Sequence, residues 1–220
     1  MVPLGQDKKS YKNIPEINLN VAQHIVIHGS KETNDFVNYF PKTTKLTLVN
    51  RAKSMSTIHN HVVNLNRLTE LSIKFTDVSL DDILDLLIHT PNLYSLNMDQ
   101  LTIESDENNR KFRYVATHNR LRKIDINSVK TLGDMELILR LFPKLEHLKT
   151  GLSNRQSGIC IYFFMKDLFF GSSNDPHLVF LCLKKLQKSH FTDLKICLSR
   201  AVFSVNYTMQ YIGEDLCVWL

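Results

Sequence analysis

A short hydrophobic pattern, L-x-x-L-x-L, recurs through the middle of this 220-residue chain. The separations between successive copies are 25, 25, 28, 24 and 33 residues, measured at the second apolar residue of each: Leu46, Leu71, Leu96, Ile124, Leu148 and Leu181. Self-similarity at a period of about 20–50 residues is the signature of a repeat architecture, in which each unit packs on its neighbours. The pattern therefore constrains the fold more strongly than composition does.

Each copy of the pattern alternates apolar and polar residues, which predicts a short strand. A proline stands two residues before the first apolar position in four copies, and Asn-Arg-Leu takes its place in the other two: Pro41, Pro91, Pro143 and Pro176, and Asn66-Arg67-Leu68 and Asn119-Arg120-Leu121. Proline ends a preceding helix and favours extended geometry before it. Each unit is therefore predicted to run from helix through turn to strand.

The stretches between these strands carry helical spacing. The fullest stripe follows a capping-box sequence that starts at Ser79 and ends at Asp82. It comprises Leu80, Ile83, Leu84, Leu87 and Ile88, and a second stripe comprises Leu132, Met135, Ile138, Leu139 and Phe142. Weaker helical signals lie at Phe36, Tyr39 and Phe40, at Met55, Ile58, Val62 and Leu65, at Phe112, Val115 and Ala116, and in the apolar stretch 159–170.

The C-terminal segment shows two patterns. Residues 203–211 alternate apolar and polar side chains, which predicts a strand. The ending 216–220 is apolar and fits a helix as well as a strand. We expect this tail either to fold back over the last repeat or to continue into a longer chain.

These units resemble the leucine-rich repeat family, in particular its ribonuclease-inhibitor-like and F-box-associated members. The resemblance implies a right-handed, horseshoe-like α/β solenoid with parallel strands on the concave face and helices on the convex face. It implies an N-terminal extension over 1–20, one repeat domain over 21–200 and a C-terminal capping segment over 201–220. Further units are expected at Ile25-Val26-Ile27 and at residues 191–196. The family's ladder asparagine or cysteine is replaced, so the solenoid is expected to be irregular: Arg51, Thr76, Leu101, Val129 and Ser153.

Side chains alternate along a strand, so the residues between the leucines share the opposite face of the sheet. We call this set the polar strip and predict that it binds a protein or peptide. The alternative is a solvated face without a partner. The candidate binding residues are Lys45, Thr47, Glu70, Ser72, Lys74, Ser95, Asn97, Asp99, Lys123, Asp125, Asn127, His147 and Lys149, with Val49 beside them.

The resemblance also implies a more specific role, the substrate receptor of an F-box type ubiquitin ligase, with the ligase core subunits as partners. The residues before the first clear repeat carry no leucine- and proline-rich F-box pattern. The alternative is a stand-alone scaffold or an enzyme inhibitor that uses the same face.

The chain is not predicted to be an enzyme, and no metal or cofactor site is predicted. It contains no Walker A, GxGxxG, GxSxG or HExxH motif. His59 and His61 would diverge on a helix, since each residue turns about 100°. His24 and His28 are expected at a sheet end, and the carboxylates at 81, 82 and 85 suit a helix start.

Charge and cysteine usage bear on the partner and on the compartment. The 27 Lys and Arg against 22 Asp and Glu give a net charge of +5, with only two small basic clusters, at 110–113 and 184–188, so nucleic acid is kept as a third and less favoured class of partner. The four cysteines have apolar neighbours and no CxxC spacing, which indicates core residues in a reducing compartment: Cys160, Cys182, Cys197 and Cys217. A polar start without a hydrophobic region and the absence of a long apolar run predict a cytoplasmic or nuclear protein with no membrane partner.

Overall fold

The computed structural model describes residues 21–28, 40–49, 63–75, 78–103, 110–152, 161, 165, 178–185, 192, 194–196 and 207–219. Within these ranges the chain has a mixed α/β fold. A nine-stranded, mostly parallel sheet carries three α-helices between its strands.

The strands are β1 (His24–His28), β2 (Lys45–Val49), β3 (Glu70–Lys74), β4 (Ser95–Gln100), β5 (Lys123–Val129), β6 (His147–Leu152), β7 (Phe180–Lys184), β8 (Thr208–Ile212) and β9 (Asp215–Trp219), and the helices are α1 (Leu80–His89), α2 (Arg110–His118) and α3 (Leu132–Leu141).

The strands follow the chain in order across most of the sheet. Their spatial order is β1-β2-β3-β4-β5-β6-β7-β9-β8, in which neighbours from β1 to β7 are parallel and the last two pairings are antiparallel. Helices α1 and α2 pack together, as do α2 and α3, so the helical segments also neighbour one another in chain order.

The repeated apolar positions of successive units lie side by side in the sheet. Leu46 pairs with Leu71, which pairs with Leu96, and the row continues through Ile124, Leu148 and Leu181. All six side chains are at most 2% exposed. The prediction that the pattern forms strands with their leucines in the core is therefore confirmed.

Threonine replaces leucine twice in the pattern without leaving the core. Thr43 occupies a first position and Thr150 a third position, and both are fully buried. A buried hydroxyl needs a hydrogen-bond partner. Thr43 donates to the Ala22 carbonyl at 3.2 Å, and Thr150 donates to the Gly151 carbonyl at 3.2 Å.

A backbone ladder closes the edge at which the strands begin. One carbonyl of each unit accepts two successive N–H groups of the next unit, at distances between 2.8 and 3.1 Å. Main-chain groups therefore satisfy one another along this edge. The six accepting carbonyls belong to Gln23, Thr44, Thr69, Tyr94, Arg122 and Glu146.

The turns that lead into this edge are also repeated. In four units the N–H of the first pattern residue donates to the carbonyl three residues earlier: Thr43 to Phe40, Leu68 to Leu65, Leu93 to Thr90 and Leu145 to Phe142. In the fifth unit the Leu121 N–H donates instead to the Asn119 side chain, Oδ1, at 3.1 Å. We call these five turns, together with the strand starts, the turn edge.

Asn119 is buried and ties three elements together. Its Nδ2 donates to the Val115 carbonyl of α2 at 2.6 Å and to the Leu141 carbonyl of α3 at 3.2 Å, while its Oδ1 accepts from the chain entering β5. The side chain thus gives the Leu141 carbonyl at the end of α3 a donor, and it adds a second donor to the Val115 carbonyl, which also accepts the Asn119 main-chain N–H at 2.9 Å.

The helices form where the stripes predict them. Ser79 caps α1 by accepting from the Asp82 N–H at 3.1 Å, and its hydroxyl donates to the Asp82 carboxylate at 2.7 Å. Thr131 and Asp134 form a full capping box at α3, which the sequence reading did not identify. Phe112 and Val115 are the buried side chains of α2, as expected.

Two predictions near the C-terminus need correction. The expected repeat unit at 191–196 is wrong, because the described residues Thr192, Leu194, Lys195 and Ile196 are helical. The alternative helix at the end is also wrong, since β8 and β9 form a hairpin that adds to the sheet by antiparallel pairing with β7.

Several other predictions fall outside the described residues. These are the extension over 1–20, the helices at 36–39 and 55–62, His59 and His61, and most of the apolar stretch 159–170. Within that stretch Ile161 and Met165 are described, and both are helical and fully buried.

Leu96→Ala should lower the free energy of unfolding by about 2–5 kcal/mol, because it leaves a cavity in the middle of the leucine rows. Asn97→Ala, one residue further along β4 and exposed on the other face, should change it by less than about 0.5 kcal/mol. Urea unfolding of both variants measures the difference. Equal losses would contradict the assignment of the two faces.

Asn119→Ala should lower the free energy of unfolding by about 2–4 kcal/mol, because it leaves the buried Leu141 carbonyl and Leu121 N–H without this partner and removes one of two donors to the Val115 carbonyl. Asn92→Ala is the control, since Asn92 lies at the equivalent turn but is exposed. Thermal and urea unfolding check the pair. A loss at Asn119 no larger than at Asn92 would refute its connecting role.

Candidate recognition surface

The polar strip is assembled as predicted on the sheet face opposite the leucines. Its residues occupy matching register positions, so that Lys45, Glu70, Ser95, Lys123 and His147 form one row. A second row contains Thr47, Ser72, Asn97, Asp125 and Lys149. Asn127 donates to Asp99 at 2.8 Å, which joins β4 and β5 near their ends.

The strip residues differ in how accessible they are. Lys45, Glu70, Lys74, Asn97, Lys123 and Asn127 are exposed, and Ser72, Ser95, Asp99, Asp125, His147 and Lys149 are half-buried. Thr47 is the exception at 7% exposed, and its hydroxyl is bonded to His24 Nε2 at 3.0 Å. Thr47 is therefore not accessible to a partner, contrary to its selection as a binding residue.

Most charges of this face are paired with one another. Lys45 contacts Glu70 at 2.9 Å, and Lys149 contacts Asp215 at 3.4 Å. Lys184 forms an ion pair with Asp125. Partly exposed pairs of this kind contribute little to stability, about 0–1 kcal/mol each. Their main effect is to reduce the net charge that the face offers to a ligand.

Two strands extend the strip beyond the predicted residues. Phe180 of β7 and Trp219 of β9 continue the first row past His147, with ring centroids 5.9 Å apart for His147 and Phe180 and 5.4 Å apart for Phe180 and Trp219. The outward position of Phe180 could be predicted from the repeat pattern, because Phe180 directly precedes the buried Leu181. Trp219 could not be placed from sequence, because its strand joins by an antiparallel pairing that the repeat does not encode.

Cys182 and Cys217 lie directly opposite each other on this same face. Their Sγ atoms are 3.5 Å apart, both are free thiols, and they are 1% and 6% exposed. They are buried as predicted, but they belong to the strip side of the sheet rather than to the leucine core, because they alternate with Leu181, Leu183, Leu216 and Val218.

Burial and the neighbouring Cys217 thiol raise the pKa of Cys182 to about 12, from an ordinary value of 9.0. Cys182 Sγ also lies 3.9 Å from an Asp215 carboxylate oxygen, which disfavours a thiolate there. A neutral thiol is neither a strong nucleophile nor a good metal ligand. This arrangement is therefore typical of a structural cysteine pair.

The two small basic clusters are partly neutralised within the fold. Lys184 of the second cluster pairs with Asp125, and Lys111 of the first contacts Asp85 of α1 at 2.6 Å. The hydrogen bond to Asp85 raises the pKa of Lys111. Asp81 and Asp82 lie in the first turn of α1, where the helix dipole favours carboxylates.

Two searches of the described residues identify no further site. In those ranges no group of three or more histidine, cysteine or acidic side chains is arranged to hold a metal ion. Within the same described part of the chain, no helix combines the length and apolar character needed to cross a membrane.

Comparisons with protein-family models, with curated proteins and with solved structures find no match for this chain.

With Cys160 and Cys197 replaced by serine, the folded chain should react with a thiol reagent at pH 8 at least about a hundredfold more slowly than after unfolding, since the remaining thiols are buried and neutral. Asn97→Cys in the same background is the control and should react rapidly. A fast reaction of the buried pair in the folded chain would contradict the raised pKa.

The free energy of unfolding should fall at high pH, because Cys182 stays a neutral thiol in the folded chain while it ionises in the unfolded chain. The stability that this neutral thiol contributes should be fully present below about pH 9, where both folded and unfolded thiols are protonated, and should be lost as the pH rises toward the folded pKa of about 12. Urea unfolding at pH 8 and 10 measures this loss. Cys182→Ala should show a smaller decline between the two values.

Proposed function

We propose that the chain is a non-catalytic recognition module of the leucine-rich-repeat solenoid type, which binds a protein or peptide along the polar strip. The observation that carries this proposal is the in-register alignment of the outward residues from successive parallel strands. Such an alignment gives a continuous surface. Each of its side chains can differ without changing the buried leucines on the other face.

The solenoid assignment is supported by how the units succeed one another. Strands β1 to β7 neighbour one another in chain order, equivalent leucines form continuous rows, and consecutive helices pack together. Each unit therefore buries its apolar residues mainly against the unit before and the unit after it, as expected of a repeat protein.

The dimensions of the strip suit an extended polypeptide. Six strands from β2 to β7, at about 4.8 Å spacing, give a face roughly 24 Å wide. An extended peptide of about seven residues, at roughly 3.3 Å per residue, would cross it. The centre offers small hydrogen-bonding side chains at Ser72, Ser95 and Asn97, which can pair with peptide backbone groups.

The aromatic row gives the strip one place suited to an apolar anchor. Phe180 and Trp219 are half-buried, so each ring keeps part of its surface accessible. Aromatic side chains dominate the energetics of many interfaces because they bury large areas with little loss of conformational freedom. We therefore place the strongest contact of the partner at the β7–β9 end of the strip.

The experiment starts with affinity capture by the wild-type chain and identification of a stoichiometric partner by mass spectrometry. Binding of that partner is then measured for Asn97→Arg, which places a bulky side chain at the centre of the strip, and for Lys123→Glu. Each should weaken binding at least about tenfold, because each disturbs the contact surface itself.

Matched substitutions away from the strip serve as controls. Thr117→Arg on α2 adds the same charge as Asn97→Arg, and Lys130→Glu after β5 reverses the same charge as Lys123→Glu. Both positions are exposed, and both variants should bind within about twofold of wild type. Undiminished binding by the two strip variants would refute the proposal.

The resemblance carries a finer proposal, that the module is the substrate receptor of an F-box type ubiquitin ligase. A stand-alone scaffold or enzyme inhibitor is the alternative. The same capture experiment separates them: recovery of ligase core subunits supports the receptor role. One stoichiometric partner without those subunits supports the alternative.

A further inference from the structure

A row of basic residues follows the turn edge, separate from the polar strip. In the first five of the six units, the residue immediately before the first pattern position is cationic four times and an asparagine once. All five are exposed. We call this row the basic rim: Lys42, Arg67, Asn92, Arg120 and Lys144.

Hydrogen bonds show that members of the rim are neighbours. Arg120 Nη1 donates to Asn92 Oδ1 at 3.2 Å, and Asn92 Nδ2 donates to the Asn66 carbonyl, beside Arg67, at 2.8 Å. Five consecutive units at the strand spacing of about 4.8 Å give the rim a length of roughly 20 Å. It is therefore one continuous feature rather than scattered charges.

The charges of the rim are not balanced by the fold. Within the described ranges, Lys42, Arg67, Arg120 and Lys144 take part in none of the ion pairs, whereas three lysines of the strip face do. Glu146, two residues after Lys144, is paired instead with Arg122 at 2.8 Å. The rim is thus a row of described residues whose positive charge remains available to a partner.

We infer that the basic rim docks an acidic polypeptide segment rich in aspartate or glutamate. About six extended residues span roughly 20 Å, which matches the rim. Arginine forks bind carboxylates through two parallel hydrogen bonds, and lysines reach them as mobile point charges. This surface goes beyond the polar strip and does not depend on it.

A polypeptide suits the rim better than a nucleic acid. Single-stranded nucleic-acid sites combine cations with aromatic rings on which successive bases stack. The five rim positions hold four cations and one amide, with no ring among them. Base stacking would therefore have no platform within the row, whereas carboxylates need only the cations.

The rim also lies where helices end, and this position offers a second explanation for its positive charge. Helices α1, α2 and α3 each finish two or three residues before Asn92, Arg120 and Lys144, and cations favour helix C-termini. If the cations served only the helix dipoles, reversing them would lower thermal stability without changing the binding of an acidic ligand. Arg67 and Lys42 follow none of these three helices, and Arg67 is the last residue of a 3-10 turn, Leu65–Arg67. Thermal melting of their variants is therefore compared with binding, to separate the two effects.

The test uses the full chain and a fluorescein-labelled glutamate octapeptide at low salt. Arg67→Glu should lower affinity about fivefold, and Arg67→Glu with Lys42→Glu at least about tenfold, because each replaces an attraction by a repulsion. Lys130→Glu, which makes the same charge change at the opposite edge, should stay within about twofold. Thermal melting by circular dichroism verifies that each variant is folded, and Arg67→Gln replaces any variant that is not.

The binding results distinguish an acidic polypeptide from a nucleic acid as the ligand of the basic rim. Loss of peptide binding in the rim variants, together with its weakening by salt, supports the inference. Binding equal to wild type in those variants overturns it. Tighter binding of a single-stranded oligonucleotide than of the glutamate peptide also overturns it, in favour of nucleic acid. Partner capture by the strip is measured separately, so either surface can fail without the other.

Discussion

Contact between equivalent leucines of neighbouring strands is the interaction on which the rest of this structure depends. Leu46, Leu71, Leu96 and their counterparts lie in one row and are almost fully buried. Because a one-residue slip would move every leucine to the solvent face, this burial sets the register of each strand against the next. This register also aligns the turns, the backbone ladder and the side chains of the opposite face from one unit to the next.

Because side chains alternate along a strand, the residues that stabilise the fold differ from those of the proposed recognition surface. Core positions accept a polar side chain where its hydroxyl has a hydrogen-bond partner, as the two buried threonines illustrate. The choice of residue at an outward position is limited only by its neighbours across the sheet. Lys45 forms an ion pair with Glu70 in this way, and Lys184 forms one with Asp125. These pairs make the polar strip nearly neutral, so we expect shape, hydrogen bonding and the aromatic row to select its partner. The basic rim, with its unbalanced charge, would add electrostatic attraction.

The sequence alone predicted the core strands, α1, α3 and the polar strip, because each rests on a local period of two or 3.6 residues. It failed where long-range pairing decided the outcome. Residues 191–196 match the strand pattern, yet the described residues 192 and 194–196 are helical, because six residues of pattern are too short to overrule their packing environment. The C-terminal residues could equally have formed a helix until pairing with β7 made them a strand.

The repeat therefore determined the order of the strands, which residues are buried and which residues share the outward face, since these follow from spacing along the chain. Only the tertiary structure decided which outward charges pair, that Thr47 is buried and bonded to His24, and that Cys217 and Trp219 join the face that carries Cys182. Those facts depend on contacts between residues up to 59 positions apart, such as Lys184 with Asp125. No local pattern encodes such contacts, because they arise only after the leucine rows have brought the units into register.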